Sequence, residues 1–209
     1  MIITMKQLFL YFSILVLTQQ AYSQSEVKIG KQIWMTKNLD VSTFRNGDPI
    51  KELKSKEEWY AAEFNATPGW CYYENDSEYG EKYGKLYNYF AVYDKRGLAP
   101  KGWHIPSDKE WSILVDYLGG EYQAGKKLKE VNAWYPSQGN NLSGFRGLPA
   151  GVRFRKGMFF GINDRAAFWS SSLSSNISVW CWYLDLIDVF ISRGEDFVNS
   201  GFSVRCIKN

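Results

Sequence analysis

The sequence predicts an α+β domain in which a few helices pack against small antiparallel sheets joined by long irregular loops. Three observations predict it. Helical periodicity is confined to the first two-thirds of the chain, whereas the part after Trp134 is short aromatic strands broken by Gly, Ser and Asn. One helix, within Gly102 to Gly120, is signalled from start to stop. The 209 residues include 9 Trp, 14 Tyr and 13 Phe, enough large side chains for a sizeable core, with no internal repeat and no linker to divide it.

Residues 1–23 read as a secretory signal peptide. Lys6 lies in a short n-region, Leu8 to Leu17 is the apolar run, and Ala21-Tyr22-Ser23 is a small-x-small cleavage site before Gln24. That run is short for a bilayer span, and no later stretch is apolar for long enough to cross one. Residues 24–209 are therefore expected to form a single exported domain, secreted, periplasmic or at the cell surface, with no membrane insertion after signal removal. A formal net charge of +3 gives no reason to propose nucleic acid or an anionic membrane as partner.

Val27 to Leu39 alternates as a strand should, with Val27, Ile29, Ile33 and Met35 as inner-face candidates. Arg45-Asn46-Gly47-Asp48-Pro49 is a turn. Lys54 to Phe64 is a short helix, stopped by Thr67-Pro68-Gly69 before an aromatic strand, Trp70 to Tyr73. Lys85 to Val92 fits helix or strand.

In the central helix Ser107 is the N-cap, Glu110 completes a capping box, and Asp108 and Glu110 favour the positive end of the dipole. Trp111, Leu114, Val115 and Leu118 form one apolar stripe, which Gly119-Gly120 ends. A weaker helix follows over Glu121 to Val131. Gly151 to Phe160, Ala167 to Ser172, Val179 to Arg193 and Phe202 to Ile207 are the strand regions.

The segments IGKQIWMTKNL, TFRNGDPI, WCYY, YGKLYNYFAV, RGLAPKGWHIPSDKEW, FWSSS and GFSVRC closely resemble the Fibrobacter succinogenes major paralogous domain family, in order and spacing, from about Val27 to the C-terminus. The resemblance implies an exported bacterial protein of a family without a characterised function. At greater distance, HIPSDKEW is similar to the RLPTEAEW helix start of the formylglycine-generating-enzyme superfamily, and GFSVRC to its terminal GFR strand. Both imply a C-type-lectin-like fold, in which N- and C-terminal strands pair and irregular loops form the binding face.

His104 is the single histidine, so a two-histidine metal site is excluded and a structural role is expected for it. The copper-dependent formylglycine enzymes use a close cysteine pair near the last strand, whereas Gly201 and Phe202 occupy those positions before Cys206. Three cysteines in an exported chain allow one disulfide. Cys71 and Cys206 lie in family-like stretches, so the resemblance favours Cys71–Cys206 with Cys181 free. The residues alone leave open Cys181 pairing with either, or all three reduced.

Asn75, Asp76, Glu78, Asn163, Asp164, Asp185 and Asp188 could offer oxygen to calcium, but they lack the Glu-Pro-Asn and Trp-Asn-Asp patterns of sugar-binding lectins and read as solvated turn residues. No metal and no cofactor is expected. Arg153, Arg155 and Lys156, interleaved with Val152 and Phe154, read as the wet face of a strand.

Trp180 to Phe197, WCWYLDLIDVFISRGEDF, departs from the polar, Asn-rich stretch expected of the family, with apolar residues on both faces. It is either extra core or a recognition surface with Trp182, Tyr183, Asp185, Ile187, Asp188 and Phe190 as ligand contacts. Lectin-like proteins with a similar last strand are targets of diversity-generating retroelements, which implies a diversified surface here. The function expected is a non-enzymatic, exported binding module for an extracellular protein or glycan. An enzyme derived from the formylglycine-generating superfamily and a structural or adhesion component of the cell surface are the alternatives.

Overall fold

The computed structural model describes residues 25–136 and 139–209; the signal-peptide reading of 1–23 lies outside them. Val27 to Leu39 forms a hairpin rather than one strand. Gly30, at φ +61°, reverses the chain between β1 (Glu26–Ile29) and β2 (Gln32–Met35). The last strand, β12 (Ile207–Lys208), lies between β2 and β6 (Trp103–His104), so both ends of the domain share one small sheet. A second small sheet joins β3 (Lys51–Glu52), β4 (Gly69–Cys71) and β5 (Leu86–Tyr87).

Helix α1 (Lys56–Phe64) has a full capping box between Ser55 and Glu58. Asp76 caps α2 (Ser77–Tyr83). The ambiguous Lys85 to Val92 resolves into both types. After β5, Asn88 caps one turn of helix, α3 (Tyr89–Val92), and its amide also donates to the Thr67 carbonyl. The central helix α4 (Asp108–Tyr117) shows the capping box between Ser107 and Glu110 and is followed by α5 (Glu121–Leu128).

Five strands form the largest sheet, in the order β11 (Ile191–Phe197), β10 (Ser178–Asp185), β9 (Arg165–Leu173), β7 (Ala150–Arg153), β8 (Phe159–Ile162). Its two faces pack against different clusters. Val179, Cys181, Ala167 and Trp169 face Tyr89, Phe202 and Val204, whereas Trp182, Leu184, Ala166 and Phe168 face Trp34, Trp111, Leu114 and Phe145. Side chains alternate across a strand, so a strand covered on both sides is apolar throughout. That accounts for the apolar residues on both faces of β10.

Trp111 sits at the centre of the second cluster. Its ring centroid lies 4.8 Å from Trp34, 5.5 Å from Phe168, 5.8 Å from Phe145 and 6.2 Å from Trp182. Leu114, Val115 and Leu118 are buried beside it, as the stripe requires. His104 is structural in this geometry: its ring nitrogens meet Glu110 Oε1 and Asn209 Oδ1, tying the helix start to the chain end. Burial raises the Glu110 carboxyl, but hydrogen bonds from the Ser107 amide and His104 outweigh it and hold the group below its ordinary value.

Arg153 is a correction to the wet-face reading. It is fully buried, because Trp59 of α1 and the Leu53–Ser55 segment pack over that face of β7. Its guanidinium donates to the carbonyls of Leu53, Lys54, Ser55 and Gly157 over the rings of Trp59 and Phe159. Arg205 does the same elsewhere, donating to the carbonyls of Met35 and Phe145 and to Asn38 Oδ1; burial lowers its pKa to about 9. These arginines satisfy loop carbonyls in the interior, among them those of the buried Leu53, Gly157, Met35 and Phe145. Of the other two residues in that cluster, Arg155 pairs with Glu63 and Lys156 is exposed.

The Cys71–Cys206 disulfide is likewise corrected: Cys71, Cys181 and Cys206 are all free and buried. Strand alternation is the reason. Trp70 faces the cluster that holds Cys206, so Cys71 points into a third cluster with Leu53, Trp59 and Leu86. Burial pushes the Cys71 and Cys206 thiols up to about 12 and raises that of Cys181 as well. Native protein treated with a thiol alkylator at mildly alkaline pH is therefore expected to take up no label, and to take up three after denaturation. Intact mass checks this; rapid native labelling, or a disulfide peptide under non-reducing digestion, would contradict it.

Candidate recognition site

The 185–190 turn, running from Asp185 at the end of β10 to the start of β11, carries most of the residues expected to contact a ligand. Ile187, at its tip, is 85 % exposed; Asp185, Asp188 and Phe190 are half-buried. Tyr183 and Trp182 precede it on the strand and do not join it. Tyr183 packs over Phe202 with its hydroxyl donating to Asp196, while Trp182 is 2 % exposed and stacked on Trp111. Trp182 is thus a core residue, placed there by the same alternation that fills both faces of the sheet.

Two residues that the sequence did not single out complete the surface. Val189 is 53 % exposed within the turn. Tyr122, from the first turn of α5, is 81 % exposed, with its ring 6.0 Å from that of Phe190. Ile187, Val189 and Tyr122 are thus exposed apolar side chains, with Phe190 half-buried against Tyr122.

The turn is pinned at both ends. Asp185 pairs with Arg165 of β9, and the Leu186 amide donates to the Asp164 carbonyl at 2.6 Å. The Lys126 amide of α5 donates to the Val189 carbonyl at 2.9 Å. Lys129, just past α5 and buried, donates from Nζ to the carbonyls of Asp185 and Asp188. Gly125 lets the helix come this close: a Cβ there would lie 2.3 Å from the Phe190 carbonyl carbon and 2.5 Å from the Val189 oxygen. That glycine was the one legible signal, since glycine inside a helix sacrifices about 1 kcal/mol relative to alanine and marks close packing. Lys129 carried none, because lysine is ordinarily exposed.

Residues 27–208 match the model of the Fibrobacter succinogenes major domain. The chain belongs to this family. The match spans the region over which the motifs resemble it. No curated protein and no solved structure matches the chain.

In this Fibrobacter succinogenes major domain the acidic turn residues have local partners. Asp76 caps α2, Asn163 Oδ1 accepts from the Tyr83 hydroxyl, and Asp185 is held by Arg165. Among the described residues no three His, Cys, Asp or Glu side chains gather where they could hold a metal ion. No helix among them is long and apolar enough to cross a membrane.

Proposed function

We propose that this domain is an exported, non-enzymatic binding module of C-type-lectin-like fold that recognises an extracellular protein through the 185–190 turn. The signal-peptide pattern of residues 1–23 supports export. The pairing of β2 with β12 supports the lectin-like fold. One observation carries the functional reading: an apolar tip, Ile187 and Val189, is held on a turn fastened to α5 and β9. Fixing a loop in its bound shape removes part of the ordering entropy that association otherwise costs. Of the two partner classes expected, the tip favours protein over glycan, because aliphatic side chains offer no hydrogen bonds to sugar hydroxyls. The non-enzymatic reading is supported by the buried thiols and by His104, both of whose ring nitrogens are engaged.

The test is an array of extracellular proteins and glycans probed with residues 24–209 and with an Ile187→Ser/Val189→Ser variant. The variant should stay within about 0.5 kcal/mol in stability, as surface changes do. It should lose the protein partner, because a few apolar anchors normally carry the affinity. Partner binding that survives both substitutions would overturn the assignment of the surface. A glycan retained as the sole ligand would overturn the partner class.

A further inference from the structure

We propose that Lys129 is a positioning residue that holds the 185–190 turn in the single conformation displaying Ile187 and Val189. This rests on the reading of that turn as a recognition surface. Lys129 is 1 % exposed, its Nζ lies 2.5 Å from the carbonyl oxygens of both Asp185 and Asp188, and it sits 4.6 Å from the Trp134 ring centroid. The two carbonyls bracket Leu186 and Ile187, so one donor group sets the direction in which the tip points.

Packing alone does not ask for an ammonium here, since leucine or methionine would fill such a site without desolvating a charge. A long cationic donor is what can reach both the Asp188 carbonyl and the Asp185 carbonyl, the latter shared with the Asp188 amide. Burial is costly for this group and brings its pKa down to about 8, against the opposing pull of Asp185 and Asp188. Those two aspartates are the charged groups facing it. Arg165 of β9 engages Asp185, and Glu130, next in the chain, is taken up by Arg146. The backbone link from Lys126 to Val189 secures the far end of the turn, and the Asp185–Arg165 pair and the Leu186–Asp164 bond secure its start, so Lys129 governs the tip between them.

Hydrogen exchange read by mass spectrometry tests this without a ligand, on the wild type, Lys129→Met and Lys129→Arg. In Lys129→Met the amides of Leu186 and Asp188 should exchange at least about tenfold faster, as in a local opening, while those of α4 and β9 keep their protection. Lys129→Arg, which can still donate to both carbonyls, should recover part of it. Unchanged exchange at Leu186 and Asp188 in folded Lys129→Met would overturn the proposal.

Should Lys129→Met not fold, the wild type decides by NMR. The Lys129 side chain should titrate near 8, with amide shifts from Leu186 to Phe190 following the same midpoint. Turn amides that stay flat through that midpoint would equally overturn it. Neither readout depends on a partner, so Lys129 can fail this test while Ile187 and Val189 still prove to bind, and the reverse.

Discussion

Arg153→Ala is expected to lower the unfolding free energy by about 4 kcal/mol or more, a large share of the ordinary margin of about 5–15 kcal/mol. The guanidinium reaches the carbonyls of Leu53, Lys54, Ser55 and Gly157, at distances from 2.6 to 3.2 Å. Alanine would strand the buried Leu53 and Gly157 carbonyls, each at about 1–3 kcal/mol, and leave a void beside Trp59 and Phe159. The Lys54 and Ser55 carbonyls would keep Asn75 Nδ2 and the Trp59 amide as donors. The effect should reach α1, because the Leu53 to Ser55 segment delivers that helix its cap. Arg153→Lys should recover only part, since a compact ammonium has three donors and cannot reproduce the fork. Equilibrium urea unfolding is the measurement, with the exposed Lys156→Ala as a control within about 0.5 kcal/mol. An Arg153→Ala midpoint equal to the control's would show that the loop carbonyls find other partners.

Trp111→Ala is expected to cost about 3–5 kcal/mol. This indole is fully buried and touches four aromatic rings drawn from β2, β9, β10 and the segment before β7. No single neighbour can collapse into the space it would leave, so most of the cavity should persist. Trp111→Phe should cost clearly less, and the exposed Lys109→Ala next to nothing. If the unfolding midpoint of Trp111→Ala matched that of Lys109→Ala, α4 would be peripheral to the fold.

How far each feature was legible depends on how local its cause is. The start of α4 was readable because Ser107 and Glu110 bond to one another's backbone three residues apart. Its stripe was readable because helical spacing alone brings Trp111, Leu114, Val115 and Leu118 to one side. Between Val27 and Leu39 the alternation was right and the connectivity was not, since Gly30 turns a continuous pattern into a hairpin. In the 180–197 stretch, Ile187 and Phe190 were picked out as apolar residues. Their setting was not, because Tyr122 of α5 and Lys129 just past that helix lie some sixty residues earlier.

The sequence by itself determined the α+β class, the capped helices and, through its motifs, membership of the Fibrobacter succinogenes major domain family. Those follow from hydrogen bonds and periodicities that close within a few residues. Only the tertiary structure decided that β10 is covered on both faces, that Arg153 is interior, and that Cys71 and Cys206 point into different clusters. The reason is common to all three. Whether a polar or apolar side chain ends in water or in the core depends on what stacks against its strand and which orphan carbonyls lie within reach. For Arg153 one of those carbonyls lies 100 residues away along the chain, beyond any local pattern.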